Sequence, residues 1–168
     1  MTDRIPSLKT MLTLSDAAAT EALARALAPG LGAGDLVALV GGLGVGKSVF
    51  ARALIGSRLA ALGRAESVPS PSYTLVQTYD LGDVELWHAD LYRLGALDEI
   101  GELGLEEAFA GAITVVEWAD RLGPALPPRR LTLALDFEER GEARRAELTA
   151  EGGGWDWLPA ALAAVGAP

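Results

Sequence analysis

The run Gly41-Gly42-Leu43-Gly44-Val45-Gly46-Lys47-Ser48 is the strongest chemical signal in the chain, a gapless match to G-x-x-x-x-G-K-[ST]. Its glycines let consecutive backbone N–H groups turn inward toward one anion. A helix opening at the end of the loop adds its N-terminus at the same place. Lys47 is a compact ammonium able to reach the β- and γ-phosphate oxygens of a nucleotide, and the Ser48 hydroxyl can coordinate Mg²⁺. Such a site also needs a carboxylate near the metal and a group that orients the nucleophile. Two acids stand where expected strands end: Asp90 in His88-Ala89-Asp90-Leu91-Tyr92-Arg93 and Glu117 in Val115-Val116-Glu117-Trp118. The carboxyl ends of strands are where an open α/β sheet takes its ligand. Each acid also has a plainer reading, Asp90 as a helix cap or a partner for Arg93 and Glu117 as an edge acid leaving the core. His88 reads as a strand histidine with its hydrogen bonds satisfied.

These side chains need a scaffold that brings them together. Residues 36–40, Leu-Val-Ala-Leu-Val, are a short continuous apolar run, the signature of a strand buried on both faces, and they deliver the chain into the loop. A helix is expected over 48–62. Residues 73–80 and 84–91 alternate β-branched or aromatic with polar side chains around the turn-forming Leu81-Gly82-Asp83, which predicts an antiparallel hairpin. A buried strand spans 113–116, and a second hairpin joins 131–137 to 143–150. Ser15-Asp16 caps a helix over 16–28 that Pro29-Gly30 ends, and 155–165 could close the fold as a helix. Hairpins joined to a parallel core and mixed with helices indicate an α/β sandwich. One domain over 11–168 is expected, with residues 1–10 as a flexible extension.

Composition narrows the chemistry further. At 168 residues the chain suits one domain, and an apolar fraction of 50% fits a packed core. With no Cys and one His, thiolate metal sites, disulfides and Cys nucleophiles are excluded, so a metal must be a hard, oxygen-bound ion such as Mg²⁺. The net charge of −9 makes broad contact with a phosphate backbone, DNA included, a poor fit. No signal-peptide core opens the chain, and its longest apolar run is far short of the roughly 20 residues of a membrane helix, so a cytoplasmic protein without membrane contact is expected. Of fourteen cations only Lys9 and Lys47 are lysines. Arginine's rigid fork replaces a compact ammonium poorly beneath a phosphate, so a lysine kept in the loop of an arginine-favouring chain is informative.

The ordered set GGLGVGKS, SPSYTL (70–75), HADLYR (88–93) and VEWADR (116–121) resembles the bacterial TsaE family, also called YjeE, over about residues 12–150. The resemblance implies a P-loop NTPase-like α/β sandwich with a mixed parallel and antiparallel sheet. It implies a Mg²⁺-dependent ATPase, weak alone, required for threonylcarbamoyladenosine at position 37 of tRNAs reading ANN codons. Its ATP binding and hydrolysis would be coupled to a TsaB–TsaD complex, with tRNA reached through those partners. Carried over position by position, Gly41, Gly42, Leu43, Gly44, Val45, Gly46, Lys47, Ser48 and Val49 bind ATP. Ser48 and Glu117 hold Mg²⁺, and Lys47, Asp90 and Glu117 act in catalysis, the division of base and metal roles between the two acids staying open. Trp118 matches a tryptophan beside the nucleotide, with core packing as its alternative. Ser70-Pro71-Ser72 matches a nucleotide-sensing switch. Asp16 and Thr20 resemble an element that closes over the nucleotide, and Arg140 lies near a basic position that approaches it. A capping Asp and a solvated arginine are the plainer readings there.

Four positions depart from the family pattern. Gly42 stands where an acid is common in the loop, Ser48 and Ser72 replace threonines, and Ala89 replaces a bulkier residue. Two rival functions share the loop. A small-molecule kinase would need an arginine-bearing lid, for which Arg129-Arg130 and Arg144-Arg145 are the candidates. A guanine-nucleotide switch would need an Asn-Lys-x-Asp element, which a chain without Asn cannot supply.

Overall fold

The computed structural model describes residues 7–71, 75–139 and 141–165 of the chain. In chain order they form strand β1 (Leu8–Leu14), helix α1 (Ala17–Leu27), strand β2 (Leu36–Val40), helix α2 (Lys47–Ala61) and the strands β3 (Val76–Asp80) and β4 (Glu85–Asp90). Two short helices follow, α3 (Glu99–Leu103) and α4 (Leu105–Gly111), then β5 (Ile113–Glu117), β6 (Arg130–Phe137), β7 (Arg144–Glu151) and α5 (Leu158–Ala164). All seven strands join one sheet in the order β1-β7-β6-β2-β5-β4-β3. The inner four, β6, β2, β5 and β4, are parallel. On one side β7 runs antiparallel to β6 and β1 antiparallel to β7, and on the other β3 runs antiparallel to β4. This is the mixed sheet the sequence predicts.

Strands β2 and β5 are largely apolar because both of their faces are covered. On one face Leu23 of α1, Phe50, Leu54 and Ile55 of α2 and Leu158 of α5 pack on Val37, Leu39 and Val115. On the other, Ile100 of α3 and Leu105 of α4 pack with Leu36, Ala38 and Val116. Helix α1 starts where expected, the Asp16 carboxylate accepting a hydrogen bond from the Ala19 N–H at 2.9 Å. It turns Leu23, Ala24 and Leu27 inward.

Parallel strands place their carboxyl ends along one edge, and that edge positions the site. Strand β2 releases the glycine loop there, β5 ends at Glu117 and β4 ends at Asp90, with Asp90 and Glu117 paired in register. Residues alternate between faces, so His88 and Asp90 of β4 share the α2 side with Val115 and Glu117 of β5.

Several boundaries differ from expectation. Leu8–Thr10, placed in a flexible extension by the sequence, belong to β1, paired along its length with β7. The hairpin strand expected from residue 73 runs from Val76, residues 72–74 lying outside the described segments. The closing helix starts at Leu158, three residues later than expected, with Pro159 in its first turn. Among the described residues no helix is long and apolar enough to cross a membrane.

Candidate functional site

The loop between β2 and α2 is shaped by glycines at defined places. Gly41 has φ 145°, and a Cβ there would drive into the backbone carbonyl of Leu135 on the neighbouring β6, so only glycine lets the two strands lie this close. Gly46, at φ 117°, turns the chain into α2. Lys47 and Ser48 are therefore the first residues of a helix, whose opening N–H groups have no partner within the helix. Lys47 is 5% exposed, and its ammonium folds back on its own loop. It donates to the carbonyls of Gly41 (2.6 Å) and Gly42 (2.7 Å) and lies 4.0 Å from the centre of the Trp118 ring. Burial pulls its pKa below the ordinary value, against the opposing charges of Glu117, Asp90 and Asp120. Two outside groups brace the loop. Arg144 of β7 donates through Nε to the Val45 carbonyl at 3.1 Å, and buried Thr20 of α1 lies beside Gly46, its methyl 4.0 Å from where a Cβ there would stand.

Glu117 is the electrostatic centre of the site. Its side chain is 2% exposed, and each carboxylate oxygen accepts one short hydrogen bond. Ser48 Oγ donates to Oε1 at 2.6 Å, and His88 Nε2 to Oε2 at 2.6 Å. Burial pushes the Glu117 pKa up, but the two hydrogen bonds, with the charges of His88 and Lys47, outweigh it and hold the carboxyl below its ordinary value. Asp90 is also buried, and its Oδ1 accepts from the Tyr92 N–H at 3.0 Å, fixing the turn that leaves β4. Trp118 sits at φ 59°, an uncommon backbone for a bulky residue. Its ring packs on Tyr92 with centroids 4.9 Å apart.

A cleft of about 290 Å³ gathers most of the residues singled out from the sequence. Leu43, Gly44, Gly46, Lys47, Ser48, Val49, Asp90, Glu117 and Trp118 all line it. Gly41 and Gly42 lie behind it, against β6, and meet the site through their carbonyl bonds to Lys47. Val45 is buried under the loop. Asp16 caps α1 and is not among the residues lining the cleft, and Arg140 and Ser72 lie outside the described residues. Trp118 combines both of its readings, half-buried against the α3–α4 core while lining the cleft.

Sequence reasoning missed three contributors. Tyr92 and Arg93 line the cleft from the HADLYR segment. His88, read as a satisfied strand residue, has its Nε2 on Glu117 and its Nδ1 without a partner among the described residues. A histidine two residues before an acid on one strand was the available signal, since both face the same side. The arginine pairs offered for a kinase lid are tied down locally. Arg129 bonds Asp35 and Arg130 pairs with Glu151 at the start of β6, the opposite end of the sheet from the loop. Arg144 holds the loop, and Arg145 pairs with Asp136.

A mixed sheet carrying a glycine loop and helix at the carboxyl end of a central strand defines the P-loop NTPase-like class of α/β sandwich. The family model described as threonylcarbamoyl adenosine biosynthesis protein TsaE matches residues 14–146. Among named relatives, tRNA threonylcarbamoyladenosine biosynthesis protein TsaE of Rickettsia felis is 37% identical over 126 residues, covering 75% of this chain and 72% of that one. The TsaE protein of Bacillus subtilis is 34% identical over 140 residues, 83% of this chain and 84% of its own. A crystal structure of YdiB from Bacillus subtilis superposes with a TM-score of 0.75 at 27% identity, over 95% of this chain and 97% of that one. The chain belongs to the TsaE family.

Proposed function

We propose that this protein is a Mg²⁺-dependent ATPase required for the threonylcarbamoyl group on adenosine 37 of tRNAs reading ANN codons. In this reading it acts in the cytoplasm and couples ATP binding and hydrolysis to a TsaB–TsaD complex, through which tRNA is reached. The observation that carries the chemistry is the convergence of Lys47, Ser48, Asp90 and Glu117 on one cleft at the N-terminus of α2. Membership of the TsaE family supports the place in tRNA modification.

The donor set fits the metal. Ser48 Oγ and Glu117 Oε1 are two hard oxygens 2.6 Å apart, and no cluster of three acids or histidines stands ready to hold an ion unaided among the described residues. Mg²⁺ is commonly held by one or two protein oxygens and completed by water and phosphate. Bound there, Mg²⁺ would neutralise charge on the β- and γ-phosphate oxygens. The chain's own groups do the rest. Lys47 exchanges its bonds to the Gly41 and Gly42 carbonyls for phosphate oxygens, and the α2 N-terminus adds its N–H groups. Asp90, held by the Tyr92 N–H, orients the attacking water. Trp118 and Tyr92 wall the cleft and limit stray water. Such positioning and charge stabilisation supply most of the catalysis in phosphoryl transfer.

The test is ATP turnover with and without a TsaB–TsaD complex, for wild type, Lys47→Ala and Glu117→Ala. Each substitution is expected to lower partner-stimulated turnover by about 100-fold or more. Unchanged nucleotide binding and unchanged turnover in both variants would remove the site assignment.

A further inference from the structure

Glu117 is fixed at both oxygens, and the two fixings are not equivalent. Ser48 Oγ on Oε1 is a hydroxyl that the proposed Mg²⁺ would recruit as a ligand. Ligation would take up a lone pair of that oxygen, and Oε1 would face the same ion, so neither group would then orient the other independently of the metal. The bond from His88 is to the other oxygen, Oε2, and involves no atom that would face the ion. His88 is itself fully buried on β4, its backbone held in the parallel pairing with β5. Its Nδ1 has no partner among the described residues, so the ring meets one polar group, and that group is Glu117. An unpaired buried ring nitrogen is costly, and a histidine kept in such a place is not explained by packing alone.

We propose that His88 is a positioning residue that holds the Glu117 carboxylate, through Nε2–H to Oε2, in the orientation in which Oε1 faces a divalent cation beside Ser48. The inference rests on the Mg²⁺–ATP reading of the cleft. It adds the group that fixes Glu117 through the oxygen that would not face the ion. Partners of this kind, hydrogen-bonded to a metal-ligating carboxylate, set ligand direction and basicity, and removing one typically weakens metal binding by about 10–100-fold.

The experiment uses the full chain with Mn²⁺ as the probe ion, titrated in the presence of ATP and followed by electron paramagnetic resonance. ATP binding without metal is measured in parallel. Two substitutions of matched length separate the hydrogen bond from the volume: His88→Gln keeps an amide N–H able to reach Oε2, and His88→Met has none. His88→Met is expected to raise the Mn²⁺ half-saturation concentration by about 10-fold or more. His88→Gln is expected to stay within about three-fold of wild type, with metal-free ATP binding little changed in both. Equal Mn²⁺ titrations for wild type and His88→Met overturn the proposal. So does a His88→Gln protein that folds, by circular dichroism, and binds Mn²⁺ about 10-fold or more weakly than wild type, because a side chain that keeps the donor would then have failed to keep the site. That second outcome keeps the test decisive even where the Met variant fails to fold. Glu117→Ala distinguishes the underlying reading. If it weakens Mn²⁺ binding while His88→Met does not, only the role of His88 falls. If Glu117→Ala leaves Mn²⁺ binding intact, the metal site itself is wrong and the role of His88 goes with it.

Discussion

Glu117 shows how one residue can be costly to bury and still stabilise the fold. A lone carboxylate at 2% exposure would be driven toward its neutral form, yet short bonds from Ser48 and His88, with Lys47 nearby, hold it ionised. Because its folded pKa lies below the ordinary 4.5, the unfolded chain binds more protons between the two values. The stability that Glu117 contributes is therefore fully present above about pH 4.5 and is lost as the pH falls through the folded value. Glu117→Gln keeps the shape but turns an amide N–H toward one of the two donors, leaving a buried group unpaired. Denaturant unfolding should find this variant less stable than wild type by about 1–3 kcal/mol at pH 7. That gap should narrow as the pH is lowered from 5 to 3. A gap that stays constant over this range would mean that the folded carboxyl titrates at its ordinary value. The loop and Glu117 were legible as residues because each follows or ends an apolar run, and Asp90 because it closes an alternating one. The His88–Glu117 contact was not, since it depends on the register of two strands separated by α3 and α4.

At the scale of elements, patterning was readable where a face is fully covered and poorly readable where it is not. β2, β5 and α2 were legible because both sheet faces around them are packed. β1 was not, for a physical reason. Its inward set is Leu8, Thr10, Leu12 and Leu14, while Met11 points out at 48% exposure, so one polar residue faces in and one apolar residue faces out. With charge and Pro6 just ahead, the segment reads as a tail. The positive φ of Trp118 left no trace in its residue type either. The loop and α2 allow a paired test of two glycines. Gly56 lies inside α2 with open space where a methyl group would stand, so Gly56→Ala should raise stability by about 0.5–1 kcal/mol and leave nucleotide binding unchanged. Gly41→Ala meets the Leu135 carbonyl and the Val45 methyl at 2.9 Å in a backbone conformation disfavoured for alanine. It should cost about 1–3 kcal/mol and weaken nucleotide binding, since the Gly41 carbonyl and Lys47 move together. Thermal melts and nucleotide titrations of both variants check the contrast, and a stabilised Gly41→Ala protein would contradict the close approach of β6.

For the molecule as a whole, the N-terminal strand closes the sheet that the site depends on. Among the described residues β1 pairs only with β7, and β7 begins at Arg144, whose Nε holds the Val45 carbonyl of the loop. β1 also leads directly into α1, which carries Thr20 to the underside of Gly46. An edge strand far from the cleft is thus coupled to it through two braces. Leu14, the last residue of β1, is 5% exposed in the α1–α2 core and pairs in register with Arg144. Leu14→Ala removes a buried side chain and is expected to cost about 2–5 kcal/mol, a large part of the roughly 5–15 kcal/mol by which domains are stable. Leu14 is not among the residues lining the cleft, so nucleotide should still bind the folded fraction. A ligand that binds only the folded state at 100 times its Kd returns about 2.7 kcal/mol. In a chain of this length about 1 kcal/mol moves Tm by roughly 2–4 °C. Mg²⁺ and ATP should therefore raise the melting temperature of the Leu14→Ala protein by several degrees, recovering much of the loss. A Ser48→Ala/Leu14→Ala double variant should lose the metal-dependent part of that recovery. If Leu14→Ala melts like wild type, β1 is not the closing strand of the sheet. If it is destabilised and nucleotide restores nothing, while wild type is still stabilised, the braces from β7 and α1 have carried the damage into the loop.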